Sequence, residues 1–408
     1  MLKGNAIVGQ SGGPTAAINA TLAGVIKGAF EREAIGTIYG ALNGVEGILK
    51  GTICNLSEII KGEADLKLLS HTPAAALGSC RLKLPKMDEK PEVYEQIIDF
   101  FKAHDIRYFF YIGGNDSMDT VAKLSAYCAQ NDYEMRIMGV PKTIDNDVMG
   151  TDHTPGYGSA AKYIAASMQE ILRDTAVYKV KAVTIVEIMG RDAGWLTCAA
   201  ALPRLYADVA PDLVYLPEVD FDMDNFMEDV RAALEVHPNV VVAVSEGARM
   251  ADGTYVGASA QSGVVDAFGH AYLSGTGKAL ELAVKEKIGC KVRSVELNIL
   301  QRCASHIASK ADLDESIMVG AAAVKAACEG TTGKMMTYVR TSNDPYKVET
   351  GSEDIQKIAN MVREVPREFI NERGNNVTDE CLKYIAPLTF GEPDIEYENG
   401  LPKHFVIK

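Results

Sequence analysis

Lys142, Asp145 and Asp147 fall within six residues of one another in the run Pro141-Lys142-Thr143-Ile144-Asp145-Asn146-Asp147. By residue type, Asp145 suits a general base, Asp147 a ligand for a metal or a hydroxyl, and Lys142 a cation for an anionic substrate. The mostly apolar residues 136–140 before them read as a buried strand. The charges therefore stand just past a strand's carboxyl end, where ligands bind in open parallel α/β sheets. Proline, asparagine and aspartate are also turn residues, so a plain turn accounts for the bare pattern as well.

Other polar runs fall at comparable places. Gly9-Gln10-Ser11-Gly12-Gly13-Pro14-Thr15 follows a first apolar run and opens a helical pattern. Backbone amides and the helix dipole at such a turn suit a phosphate, and so does a simple tight turn. Gly113-Gly114-Asn115-Asp116-Ser117 is a second such loop, now with an acid that suits Mg²⁺ or a helix cap. Gly78-Ser79-Cys80-Arg81 ends in a cation able to clamp phosphate or to lie on the surface. In the second half, Met189-Gly190-Arg191, Ser245-Glu246-Gly247, Arg293 and Gln301-Arg302 sit at or near expected strand ends, where they could hold a sugar phosphate or simply lie on the surface or cap a helix. Gly275-Thr276-Gly277-Lys278 and residues 330–334 resemble phosphate-loop fragments, but Tyr272 and Cys328 occupy the first-glycine positions. The histidines lack metal-binding spacing and read as ordinary.

Positioning these groups calls for strands at residues 6–8, 36–41, 108–112, 136–140, 182–188, 213–216, 240–244 and 293–297. Helical patterns separate them at 15–31, from 117 to 127, and from 159 to about 177, with a further helix expected at 355–363 in the polar tail. Continuous rather than alternating apolarity predicts βαβ units and parallel sheets covered on both faces.

A chain of 408 residues exceeds one ordinary core, so two domains are expected. The net charge of −14, with no basic tract, argues against nucleic acid and anionic membrane as partners. Eight cysteines without paired spacing read as reduced thiols. No apolar run reaches transmembrane length, and residues 1–5 carry no signal-peptide core, so a cytoplasmic protein is expected.

Taken together, the glycine loop at 9–15, residues 77–81, the Gly-Gly-Asn-Asp-Ser loop, Pro-Lys-Thr-Ile-Asp-Asn-Asp, Met-Gly-Arg-Asp-Ala-Gly-Trp, Ser-Glu-Gly-Ala and Ile-Leu-Gln-Arg resemble the phosphofructokinase A family in order and rough spacing, over about residues 5 to 310. Lys142 and Asp116 resemble the pyrophosphate-using branch, since ATP-using relatives typically or often carry glycine at those positions. The resemblance implies two Rossmann-like three-layer domains with mainly parallel sheets and the active site in the cleft between them. It places residues 1–158 plus about 300–355 in a donor-binding domain, and about 159–299 plus 356–408 in a sugar-phosphate-binding domain.

Carried onto this chain, it implies Asp145 as the base for the 1-hydroxyl of fructose 6-phosphate, with Lys142 and Asp116 completing the catalytic set. Gly12, Gly13, Arg81, Gly114, Asn115 and Ser117 would face the pyrophosphate donor, with Asn115 and Asp116 holding Mg²⁺. Thr143, Ile144, Asp147, Met189, Gly190, Arg191, Glu246, Arg293, Ile299, Gln301 and Arg302 would line the sugar-phosphate site. The bulk and charge of Asp116 would oppose the α-phosphate of ATP, and the reaction should be nearly reversible. A homodimer or homotetramer is implied. An ATP-dependent kinase and a catalytically silent sugar-phosphate sensor are the alternatives.

Three positions depart from the family pattern. Asn115 stands for an aspartate, Ile299 for a histidine or tyrosine, and Ala182 for an arginine that reaches a neighbouring subunit's site, where Lys179 or Lys181 could substitute. These departures leave room for another sugar phosphate, such as a seven-carbon ketose.

Overall fold

The computed structural model describes residues 2–258, 275–358 and 361–407. Tyr272, His270 and residues 359–360 of the helix expected at 355–363 lie outside the described residues. Among the described residues, eleven strands build the two large sheets: β1 (Gly4–Gln10), β2 (Ile35–Ala41), β3 (Ile53–Asn55), β4 (Ile106–Gly113), β5 (Arg136–Pro141), β6 (Ala182–Ile188), β7 (Leu213–Tyr215), β8 (Asn239–Ser245), β9 (Lys291–Glu296), β10 (Lys334–Asn343) and β11 (Tyr346–Asp354).

The first sheet has seven strands in the order β11-β10-β5-β4-β1-β2-β3, with the five from β10 to β2 parallel and β11 and β3 antiparallel at its edges. The second is a four-stranded parallel sheet, β7-β8-β6-β9. The fold is therefore α/β with two mostly parallel Rossmann-like sheets. In β4 every residue but Arg107 is buried, and in β8 every residue but Asn239 is buried, as both-face coverage requires. We propose that the domain division follows these sheets, with the two segments that build the seven-stranded sheet forming one unit.

The strands expected from apolar runs are all present. The tail differs: residues 334–354 form an antiparallel hairpin, and among the described residues a short 3₁₀ turn, Ile355–Lys357, stands where the helix was expected to begin. β11 is an edge strand whose exposure largely alternates, so its polar face hid it from a search for apolar runs. The first helix, Ile18–Phe30, begins later than expected because Thr15 Oγ1 accepts the Ala17 N–H and holds the preceding turn open. Gly275-Thr276-Gly277-Lys278 opens the helix Thr276–Lys287, and a carboxylate occupies its start: Gly277 N donates to Glu187 Oε2 at 2.7 Å. Among the described residues, no helix is long and apolar enough to cross a membrane.

The helix Ile18–Phe30, which leaves the glycine loop, lies directly on the helix Lys310–Cys328. Their backbones approach closely: a Cβ on Gly24 would lie 2.1 Å from the Ile317 carbonyl oxygen, and one on Gly320 2.3 Å from that of Thr21. Only glycine permits this seat, and the seat fixes where the phosphate-type loop points. Gly24→Ala should therefore lower stability by about 1–3 kcal/mol through overpacking, read as a fall in the thermal unfolding midpoint. An unchanged midpoint would mean that the helices part without cost.

Candidate active site

The carboxyl ends of β1, β4 and β5, neighbours in the seven-stranded sheet, deliver Gly12, Gly114 and Lys142. The carboxyl ends of β6 and β8, neighbours in the four-stranded sheet, deliver Met189 and Glu246. These ends line one cavity of about 300 Å³. Two parallel sheets thus place their ligand-binding ends around a single cleft.

Lys142 is only 2% exposed. Its Nζ donates to the Gly13 carbonyl oxygen at 2.7 Å, and its backbone N–H donates to the Gly113 carbonyl at 2.9 Å. Burial pulls its pKa down to about 8, against the opposing charges of Asp145 and Asp147. A Cβ on Gly12, where φ is +76°, would stand 3.3 Å from that Nζ, so glycine leaves room for the ammonium group.

Asp145 takes the Thr143 hydroxyl oxygen as acceptor for its backbone N–H at 3.1 Å. Burial raises its carboxyl pKa, while Lys142 and Arg191 restrain the rise. Asp147 is pushed to about 7, first by burial and then by the charge of Asp145. Glu246 reaches about 8 for the same two reasons, and its Oε1 accepts the Gly190 N–H at 3.3 Å. Three carboxyls are thus kept proton-hungry in a cleft that also holds Lys142, Arg81, Arg191 and Arg302.

Asn115 opens the helix Asn115–Gln130, so Asn115, Asp116 and Ser117 occupy its first turn at the positive end of the dipole. Gly114, not Asp116 or Ser117, is the cap residue. Asn115 Nδ2 donates to Asp147 Oδ2 at 3.3 Å, while its buried Oδ1 has no hydrogen-bond partner among the described residues. A hard oxygen left unpaired in this cleft fits a divalent cation. No cluster of three or more His, Cys, Asp or Glu side chains suited to a metal occurs among the described residues, so phosphate oxygens and water would complete the shell.

Of the residues expected in the site, Gly12, Gly13, Arg81, Gly114, Asn115, Asp116, Ser117, Lys142, Thr143, Ile144, Asp145, Asp147, Met189, Arg191, Glu246 and Arg302 line the cleft. Gln301 and Ile299 line an adjoining recess with Arg81, Met189 and Glu246, where Gln301 Oε1 accepts the Met189 N–H at 3.1 Å. Gly190 contributes through its N–H to Glu246.

Arg293 is not brought into the cleft. It pairs in register with Thr184 toward the opposite end of the sheet from Met189, beside Asp174, Tyr178 and Ala182. It lies too early in β9 to reach the carboxyl end. Pro14 and Thr15 of the glycine loop, and Asp192 and Ala193 of the run after Met189, also line the cleft although sequence reading assigned them no role of their own, and it did not single out Lys83, which pairs with Asp116 at 2.9 Å. Asp192 follows the Met-Gly-Arg run directly and could have been drawn from it, whereas nothing in the local sequence ties Lys83 to Asp116.

Together, the fold and the cleft define an α/β enzyme with an anion-accepting site between two Rossmann-like sheets. The chain belongs to the phosphofructokinase family, whose model matches residues 5–327. It is 41% identical to the pyrophosphate–fructose 6-phosphate 1-phosphotransferase of Halomonas elongata, over 99% of this chain and 96% of that one. It is 38% identical to the protein of the same name from Methylococcus capsulatus, over 99% of this chain and 96% of that one. The crystal structure of a pyrophosphate-dependent phosphofructokinase from Nitrosospira multiformis superposes with a TM-score of 0.88 at 37% identity, covering 98% of this chain and 95% of that one.

The raised carboxyls have a consequence for stability. Asp147 and Glu246 keep protons in the folded chain up to about 7 and about 8, where the unfolded chain has lost them at 3.8 and 4.5. Their contribution is complete below the unfolded values and is lost as pH rises through the folded ones. The thermal midpoint should therefore fall between about pH 5 and about pH 8, and Glu246→Gln should flatten that fall. An identical fall in both proteins would show that Glu246 is ionised throughout.

Proposed function

We propose that this protein is a Mg²⁺-dependent pyrophosphate:fructose-6-phosphate 1-phosphotransferase. It moves a phosphoryl group from pyrophosphate to the 1-hydroxyl of fructose 6-phosphate, giving fructose 1,6-bisphosphate and phosphate. The observation that carries the reading is Lys142 Nζ, buried against the Gly13 carbonyl among the Asp145 and Asp147 carboxyls. A fixed cation there meets the phosphoryl group in transfer and the phosphate that leaves. The names of the similar proteins agree with that donor.

Asp145 takes the proton from the sugar 1-hydroxyl as the hydroxyl oxygen attacks phosphorus. Its raised pKa makes the carboxylate more basic than an exposed aspartate. Arg191 and Arg302 supply permanent charge for the sugar phosphate, and Glu246 receives sugar hydroxyls. Asn115 and Asp116 would hold Mg²⁺, which neutralises charge on the donor's phosphate oxygens. With Asp116 paired to Lys83, its bulk more than its charge discriminates against the α-phosphate of ATP. We place the enzyme in the cytoplasm as a homo-oligomer.

The test is a coupled assay with fructose 6-phosphate and Mg²⁺, using pyrophosphate or ATP as donor. Turnover with pyrophosphate alone is expected; turnover with ATP alone would overturn the donor assignment. Asp145→Asn should lower kcat by about 10³-fold or more while fructose 6-phosphate still binds by calorimetry. Lys142→Gly combined with Asp116→Gly should weaken pyrophosphate use, and intact pyrophosphate kinetics in that pair would remove Lys142 from the donor site.

A further inference from the structure

Arg363 lies beyond the residues matched by the family model, in a stretch with no recognisable motif. Yet it touches both halves of the cleft. Its backbone N–H donates to the Asp147 carbonyl at 2.8 Å, and its Nη1 donates to the Asn146 carbonyl at 3.3 Å. Its Nη2 donates to the Tyr384 hydroxyl at 3.0 Å. In the other direction, its own carbonyl accepts the Trp195 Nε1–H at 2.9 Å, and its guanidinium lies over the Trp195 ring at 4.4 Å.

Asn146 and Asp147 belong to the loop after β5, and directly follow the proposed base. Trp195 is wholly buried and ends the Met-Gly-Arg-Asp-Ala-Gly-Trp run after β6, which carries the sugar-phosphate groups. The two loops come from different sheets. Nearby contacts repeat the link. Val148 bridges Val362, and the Glu218 carboxylate accepts N–H groups from both Gly194 and Val365, at 2.8 and 2.9 Å.

The Tyr384 hydroxyl also accepts from Asn146 Nδ2 at 3.2 Å and donates to the Asp152 carbonyl at 2.6 Å. Asn146 is fully buried with φ at +56°, and its Oδ1 accepts the Thr154 N–H at 3.0 Å. Its side chain is therefore turned away from the cleft, between two aspartates that line the cleft.

We infer that Arg363 is a positioning residue that fixes the distance between the base on the β5 loop and the sugar-phosphate cradle on the β6 loop. A planar guanidinium can stack on an indole while its edge serves two acceptors, which an ammonium cannot reproduce. Phosphoryl transfer depends on in-line placement, so a small shift of Asp145 relative to the sugar hydroxyl is costly. This role rests on the phosphotransferase reading above.

The experiment measures kcat, both KM values and thermal unfolding for the wild type, Arg363→Met, Arg363→Ala, Arg363→Lys and Tyr384→Phe. Arg363→Met should lower kcat by about 100-fold and leave the pyrophosphate KM unchanged, because Arg363 touches no donor residue. Arg363→Lys should not restore kcat, and added guanidinium ion should partly rescue Arg363→Ala where ammonium does not. Tyr384→Phe removes only the shared hydroxyl, and should lower kcat about tenfold in a folded protein.

Wild-type kcat in folded Arg363→Met would overturn the inference. So would a fall in kcat with a rise in both KM values and a matching fall in melting temperature, which marks general destabilisation. If Arg363→Met does not fold, full kcat in Tyr384→Phe would overturn it. A wild-type protein inactive with both donors would instead overturn the functional reading, and with it this role.

Discussion

A buried ammonium group sets the terms for the site. Removing a lysine from water costs several kcal/mol unless nearby acceptors and opposite charges offset it. Lys142 meets that demand with the Gly13 carbonyl and with the fields of Asp145 and Asp147. The glycine loop must come close enough to offer its carbonyl, and Gly12 must lack a side chain that would crowd Nζ. The acids must stay nearby although burial and mutual repulsion disfavour their ionised forms. Loop shape, carboxyl chemistry and cation placement are therefore one problem with one solution.

The helices around the cleft hold that solution in place. The helix Lys310–Cys328 seats the helix Ile18–Phe30 through glycine contacts on one side. On the other, its Asp312 accepts the N–H groups of Gly156 and Ser159 at 2.9 Å each, at the start of the helix Tyr157–Thr175. Its Glu315 accepts from His153 at 2.7 Å, and His153 also meets Asp152 at 2.8 Å. Burial works against charging His153, but these carboxylate contacts outweigh it and raise its pKa. One helix thus fixes both the glycine loop and the return segment of the loop after β5.

The electrostatic state of the cleft suits highly charged ligands. Asp145, Asp147 and Glu246 all have raised pKa values, and the charge of Asp145 contributes to the rise at both Asp147 and Glu246. A divalent cation near Asn115 Oδ1, unpaired among the described residues, would favour the ionised carboxylates, while phosphate groups would favour the charged form of Lys142. Binding and protonation are therefore linked. The basicity of Asp145 therefore depends on which charged ligands are already in place.

Much of this was legible in the sequence. Apolar runs in β4, β5, β6 and β8 marked buried parallel strands because both of their faces are covered. The residues just past those strands became the cleft, because parallel sheets collect strand ends on one side. Asp145, Asp147, Lys142, Arg191 and Glu246 could be picked out from type and position, and they line one cleft. Local sequence could not reveal the β10–β11 hairpin, whose edge strand keeps a polar face. Nor could it show that Arg293 lies too early in β9, since that depends on register with β6. The Lys83–Asp116 pair and the reach of Arg363 into both loops join residues that are distant along the chain. Side-chain type and strand periodicity are local properties, so the sequence by itself determined which residue types could do chemistry and which end of each sheet they leave from. Which of those groups meet, and which carboxyls are forced to hold protons, depends on distances and burial that only the packed sheets decide.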